Sequence, residues 1–181
     1  MPWGRFPGAN VVLGPEMKST GEVMGIAGNF PAAFTKTQLA IDYEPPRGGE
    51  VFISVNDGDK RNITAIARSI ARLGFSLVAT TGTARALRAS GIECEEVGKI
   101  HAGSHTILDR IASGEIVLMI NTPFGSSTNT DGYEMRAACV RHGVSYCTTL
   151  AGAQALIAGM EAVRETGLDV IALQDLPQWE G

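Results

Sequence analysis

Five short stretches of this sequence carry groups able to hold an anion. Thr80-Thr81-Gly82-Thr83 sets three hydroxyls around a glycine at the expected start of a helix. Free backbone N–H groups and the positive end of the helix dipole converge at such a point, which suits a phosphate. Lys60 and Lys99 can add compensating point charges, and the Asn121 amide can read a sugar hydroxyl or a phosphate oxygen. Thr148-Thr149 closes the set. Each feature also has a plainer reading: a capped turn for Thr-Gly-Thr, a solvated charge for either lysine, a turn residue for Asn121 ahead of Thr122-Pro123. Their common position, each after a strand of one expected sheet, weighs toward binding.

Other reactive types are poorly arranged. His101 and His105 are four apart, but Gly103 interrupts any helix between them and no third ligand is evident, so a metal pair stays only an alternative. His142 falls at a helix C-terminus, where it complements the dipole. Asp59 reads as the cap of the next helix, and Asp109 sits in a helix beside Arg110. Neither GxGxxG nor GxxxxGK[ST] occurs. Cys94, Cys139 and Cys147 show no CxxC spacing and read as reduced thiols of a cytoplasmic protein.

The elements that must position these groups follow from periodicity. The 181 residues are 44% hydrophobic and 19% charged, enough for a packed core. A net charge of -4 argues against a nucleic-acid surface, and no apolar run reaches membrane-spanning length. Residues 1–41 look like no domain, being broken by Pro2, Gly4, Pro7, Gly8, Gly14 and Pro15, although a helix is expected over 31–39. Residues 42–49, with Pro45-Pro46 and Gly48-Gly49, read as a linker. From residue 50 to 181 strands and helices alternate. Strands are expected at 51–55, 75–79, 94–97, 116–120 and 144–146, with a last one at 170–173. Helices are expected at 59–73, from near 83 to 91, and at 105–112, 132–142 and 150–164. Apolar strands separated by helices imply an α/β, Rossmann-like three-layer fold with a parallel sheet. Right-handed crossovers then bring the strand-to-helix loops to one edge.

Ile53-Ser54-Val55, Gly58-Asp59-Lys60, Ala79-Thr80-Thr81-Gly82-Thr83, Lys99, Ile120-Asn121-Thr122 and Thr148-Thr149-Leu150 together resemble the methylglyoxal-synthase-like superfamily. Ahead of them, the stretch from Gly14 to Gly25 resembles the close of the second ATP-grasp unit of carbamoyl-phosphate synthase large subunits. The pair resembles the C-terminal allosteric region of that family, so the chain is expected to be the tail of a longer subunit. The resemblance implies an effector-binding domain without chemistry or cofactor of its own. The implied ligand is a nucleotide monophosphate, UMP or IMP, held by Lys60, Thr80, Thr83 and Lys99 with Ser54 and Asn121 beside them. Thr148 matches a position near the family's ornithine site. Implied partners are the rest of the large subunit, the glutaminase small subunit and further copies of the chain. ATP and Mg or Mn would serve the intact subunit, which makes carbamoyl phosphate from bicarbonate and glutamine for pyrimidine and arginine biosynthesis. This sequence departs from the nucleotide-binding pattern of the family's enterobacterial members at Pro123, where they have a threonine, and at Ser126-Ser127, where they have two arginines. Two alternatives remain. A methylglyoxal synthase would share the phosphate site but needs a catalytic aspartate where this chain has His101-Ala102-Gly103-Ser104-His105, and an assembly-only module would need no ligand at all.

Overall fold

Val51, Phe52 and Ile53 form a strand core with no polar side chain, and both of its faces are buried, as a central parallel strand requires. The computed structural model describes residues 23–41, 43–98, 106–122 and 130–175. In it β1 (Glu50–Ser54) is followed by β2 (Ser76–Thr80), β3 (Glu95–Val97), β4 (Ile116–Asn121) and β5 (Ser145–Cys147). The sheet is five-stranded with order β3-β2-β1-β4-β5, and every pairing is parallel. The carboxyl ends of all the strands therefore share one edge.

The helices are α1 (Phe30–Leu39), α2 (Ile63–Arg72), α3 (Thr81–Ala89), α4 (Ile107–Ala112), α5 (Thr130–His142) and α6 (Leu150–Thr166). One face of the sheet packs Val51, Ile53 and Leu77 against α2, α3 and α6, through Ile63, Ile70, Leu87 and Ile157 among others. The other packs Phe52, Val78 and Met119 against Ile107 and Ile111 of α4 and Met135 and Cys139 of α5. Each such large apolar side chain contributes about 1.5–3 kcal/mol by leaving water. Pairing slips by one residue at Glu50/Val51. There Gly49, at φ +117, lies so close to Val117 that a Cβ would come within 2.6 Å of its Cγ1.

Helix α1 is capped by Asn29, whose side chain accepts from Ala32 N at 3.0 Å, and Pro31 stands in its first turn. It packs on α6 at Gly159. A Cβ there would fall 2.3 Å from Thr35 Oγ1, and Thr35 is itself buried. Farther along α6, Arg164 donates to the carbonyls of Leu73 and Arg47 and lies 5.7 Å from the centre of the Phe75 ring. The stretch leading to β1 is thus fastened to the domain at Arg47.

At the amino edge of the sheet Arg110 is the centre of a charge cluster. It makes two 2.9 Å bonds to Glu95 and reaches Glu50 at 3.2 Å and Glu115 at 3.3 Å. Burial raises the pKa of Glu50, and Glu95 and Glu115 push the same way, which Arg110 only partly offsets.

Three sequence expectations change. Residues 170–173 form no strand: after Gly167, at φ +71, the chain runs past α1, with Val170 almost fully exposed and a 3-10 turn at Leu173–Asp175. The Val-Ile pair next to Asp169 lies instead beside Lys36 and Leu39 of α1. Asp59 does not cap α2, which begins at Ile63; it belongs to a 3-10 turn, Asp57–Asp59, capped by Asn56. Helix α3 begins at Thr81, without a break after β2. The Gly14-to-Gly25 stretch lies outside the described residues up to Gly21-Glu22.

Replacing Gly159 by valine is expected to cost about 1–3 kcal/mol by forcing α1 away from α6. Urea unfolding should show a lower midpoint, and an unchanged midpoint would mean that α1 does not sit there. The folded state holds the Glu50 proton to higher pH than the unfolded chain does, so ionising Glu50 costs stability as pH rises through its raised pKa. Glu50→Gln should therefore raise the melting temperature at neutral pH. The gain should fade on acidification toward the usual 4.5, where the wild-type carboxyl is already protonated.

Candidate anion-binding site

The loops at the carboxyl edge start where β1, β2 and β4 end side by side. Ser54 and Asn121 are register partners, and the Thr80 hydroxyl lies 3.3 Å from Ser54 Oγ and 3.4 Å from Thr83 Oγ1. Thr83 is 1% exposed, and its hydroxyl accepts from Val55 N at 3.2 Å. It is a brace between the β1 loop and α3 as much as a surface donor. Asn121 is buried at the end of β4.

Thr80 holds the N-cap position of α3 in an extended conformation, but its side chain makes no capping bond. It turns to Ser54 and Thr83 instead. The N–H group of Gly82, at the second helical position, is left without that usual acceptor, and both Gly82 and its neighbour Thr81 are exposed. Directly against them lies the Lys60 side chain, close enough that a Cβ on Gly82 would come within 2.9 Å of Nζ. An ammonium beside a helix start is set where the dipole disfavours it. Both features attract the same thing, a negative group between them. Lys60 meanwhile forms an ion pair with Asp57.

Asn56 is the residue that sequence reasoning missed. Its backbone N–H donates to Thr122 Oγ1 at 3.0 Å and its amide to the same oxygen at 3.1 Å and to Asp59 Oδ2 at 2.7 Å, while its Oδ1 accepts from Asp59 N. It thereby ties the Lys60 loop to the end of β4. An asparagine immediately after a strand, with an aspartate three residues on, is the signal of a self-capped turn and could have been read as one.

Thr148 follows β5 on the same edge and is exposed, while Thr149 caps α6 by accepting from Gly152 N at 3.1 Å. Lys99, His101, His105, Pro123, Ser126 and Ser127 lie outside the described residues. Ser54, Lys60, Thr80, Thr83 and Asn121 are brought together; Thr148 stands beyond Asn121, across β4 and β5. Burial pushes the Cys147 thiol up to about 11, so it has no thiolate character at neutral pH.

A cavity of about 930 Å³ opens at the other end of the sheet, lined by Glu50, Arg68, Arg72 and Phe75 among others. Its size does not make it the better site. Arg68 is already committed to the Ser90 carbonyl and Arg72 to Ser69 and Glu161, and that edge receives the C-terminal end of α2, which repels anions.

An all-parallel α/β sheet with a lysine set against the start of its third helix is the class that these features define. The MGS-like domain family matches residues 62–148, and the chain belongs to that family. Its likeness to whole sequences runs further. It is 51% identical over 173 residues to the carbamoyl phosphate synthase large chain, C-terminal section, of Methanopyrus kandleri, covering 95% of this chain and 32% of that one. It is 45% identical over 174 residues to the carbamoyl phosphate synthase large chain of Myxococcus xanthus, covering 96% of this chain and 16% of that one. The chain thus spans about a third of the first relative and a sixth of the second. Among solved structures, methylglyoxal synthase from Elizabethkingia anophelis NUHP1 aligns with a TM-score of 0.51 at 16% identity, over 62% of this chain and 78% of that one. At that identity the likeness is one of fold.

Asn56→Ala should loosen the Lys60 loop and cost about 1–2 kcal/mol of stability. Thermal unfolding gives the stability loss, and amide exchange over residues 55–62 should rise selectively. Uniform exchange across the domain would show that Asn56 is not the tie.

Proposed function

We propose that this chain is the effector-binding domain of a carbamoyl-phosphate synthase large chain, holding the phosphate of a nucleotide monophosphate such as UMP or IMP at the start of α3. The observation that carries this reading is the Lys60 ammonium lying against Gly82, at a helix start whose N-cap side chain is turned elsewhere. Thr81 and Gly82 would donate backbone N–H bonds, Lys60 the charge and Thr80 a hydroxyl, with Thr83 holding the turn from behind. Ser54 and Asn121 lie on the side where a ribose would extend, and Lys99, outside the described residues, is the second cation that this reading assigns to the phosphate. Ornithine would bind nearer Thr148.

The domain would act by linkage. An effector shifts the longer subunit only as far as it binds its states unequally. Carbamoyl phosphate would be made from bicarbonate and glutamine-derived ammonia elsewhere in that subunit and its glutaminase partner. Among the described residues no group of His, Cys, Asp and Glu could hold a metal ion, and ATP with its Mg or Mn is assigned to the parts of the longer protein outside this chain. No helix of the described residues is long and apolar enough to cross a membrane.

Calorimetric titration of the chain with UMP, IMP, ornithine and dihydroxyacetone phosphate tests the reading. Nucleotide binding should weaken at least tenfold in Lys60→Ala, about the loss of one charge-assisted contact, and also in Thr83→Ala. Turnover of dihydroxyacetone phosphate would favour a lyase, and silence with every ligand would leave an assembly role.

A further inference from the structure

Resting on the anion site proposed above, we infer that Asp57 is a built-in competitor for that site: its carboxylate occupies the Lys60 ammonium until an incoming phosphate displaces it. The two aspartates of the turn are used differently. Asp59 faces inward, bonded to the Asn56 amide, with its backbone N–H on Asn56 Oδ1. Asp57 is 78% exposed, and the interaction that the structure gives its side chain is the ion pair with Lys60, three residues on. Asn56 fixes the backbone of the turn, so Asp57 can swing into water without disturbing the loop.

The lysine needs such a partner. Its ammonium sits at the first turn of α3, where the helix dipole disfavours a cation, and Asp57 offsets this from the solvent side. Among the described residues the Asp57 carboxylate is paired with the Lys60 ammonium. A phosphate bridging Lys60 and the N–H groups of Thr81 and Gly82 satisfies both positive features at once and carries up to two charges. It can therefore displace the aspartate. Every anion that needs the ammonium must displace the same carboxylate, so Asp57 lowers the affinity of the site for carboxylates and phosphates alike. Asp57 on this account sets the affinity of the site without needing to touch the ligand.

An exposed ion pair of this kind is weak, so the competition is modest: Asp57→Asn should bind UMP about 2- to 5-fold more tightly than the wild type at low salt. Because the interaction is screened, the gain should shrink at high salt. The same variant should bind inorganic phosphate and acetate more tightly by a similar factor, as removal of one common competitor requires, and Asp57→Glu should restore wild-type behaviour. Titration calorimetry of the three proteins with UMP, inorganic phosphate and acetate at two salt concentrations reads all of this. Wild-type binding of UMP with no gain in Asp57→Asn, or with a loss, overturns the inference and leaves the anion site standing. Failure of all three proteins to bind UMP or phosphate overturns both.

Discussion

The whole arrangement depends on β1 being paired on both sides in parallel. Ile53 sits opposite Ala79 of β2 and Ile120 of β4, and one step further Ser54 meets Asn121 while the Thr80 hydroxyl reaches across to it. Because the three central strands end level, three loops from distant parts of the sequence open onto one small area. A parallel sheet cannot be built otherwise, since each strand must be followed by a crossover before its neighbour begins. The apolar run Val51-Phe52-Ile53, buried on both faces, keeps β1 in the middle. Polar chemistry at the edge is the consequence of apolar chemistry in the centre.

Electrostatics at that edge is organised by opposition. Thr80 could have capped α3 and instead bonds sideways, so the helix start keeps its positive character. Lys60 adds more of the same sign, and Asp57 answers it from the water side. The amino edge is the reverse case. Arg110 meets Glu50, Glu95 and Glu115 with both Glu95 contacts at hydrogen-bonding distance, a cluster that closes on itself. Complete pairing of the arginine marks that edge as architecture, whereas at the carboxyl edge the lysine is paired with an aspartate that faces water.

Strand runs and the Thr-Gly-Thr turn were readable from the sequence because they are local: an apolar stretch between turn residues, and hydroxyls at a helix start. The role of Asn56 was not, since half of its bonds go to Thr122, sixty-six residues away. The position of Thr83 was legible but its burial was not, because that depends on Val55 coming close from another loop. Residues 170–173 misled for the opposite reason. Val170 and Ile171 have strand-forming side chains, yet strand formation needs a free neighbouring edge, and the chain emerging from α6 is aimed at α1 instead. The proximity of Lys60 to Gly82 could not be inferred from spacing, as twenty-two positions and a whole helix separate them.

The contact between α1 and Gly159 has a mechanical consequence. Helix α6 is a rod pinned at three stations: its capped head at the carboxyl edge of the sheet, its waist against Thr35, and its tail through Arg164 to the segment before β1. The polypeptide ahead of Phe30 therefore joins the domain at the waist of that rod. A protein severed just before Glu50 would lose both the waist and tail fastenings, leaving a bare flank on α6 where a neighbour used to lie.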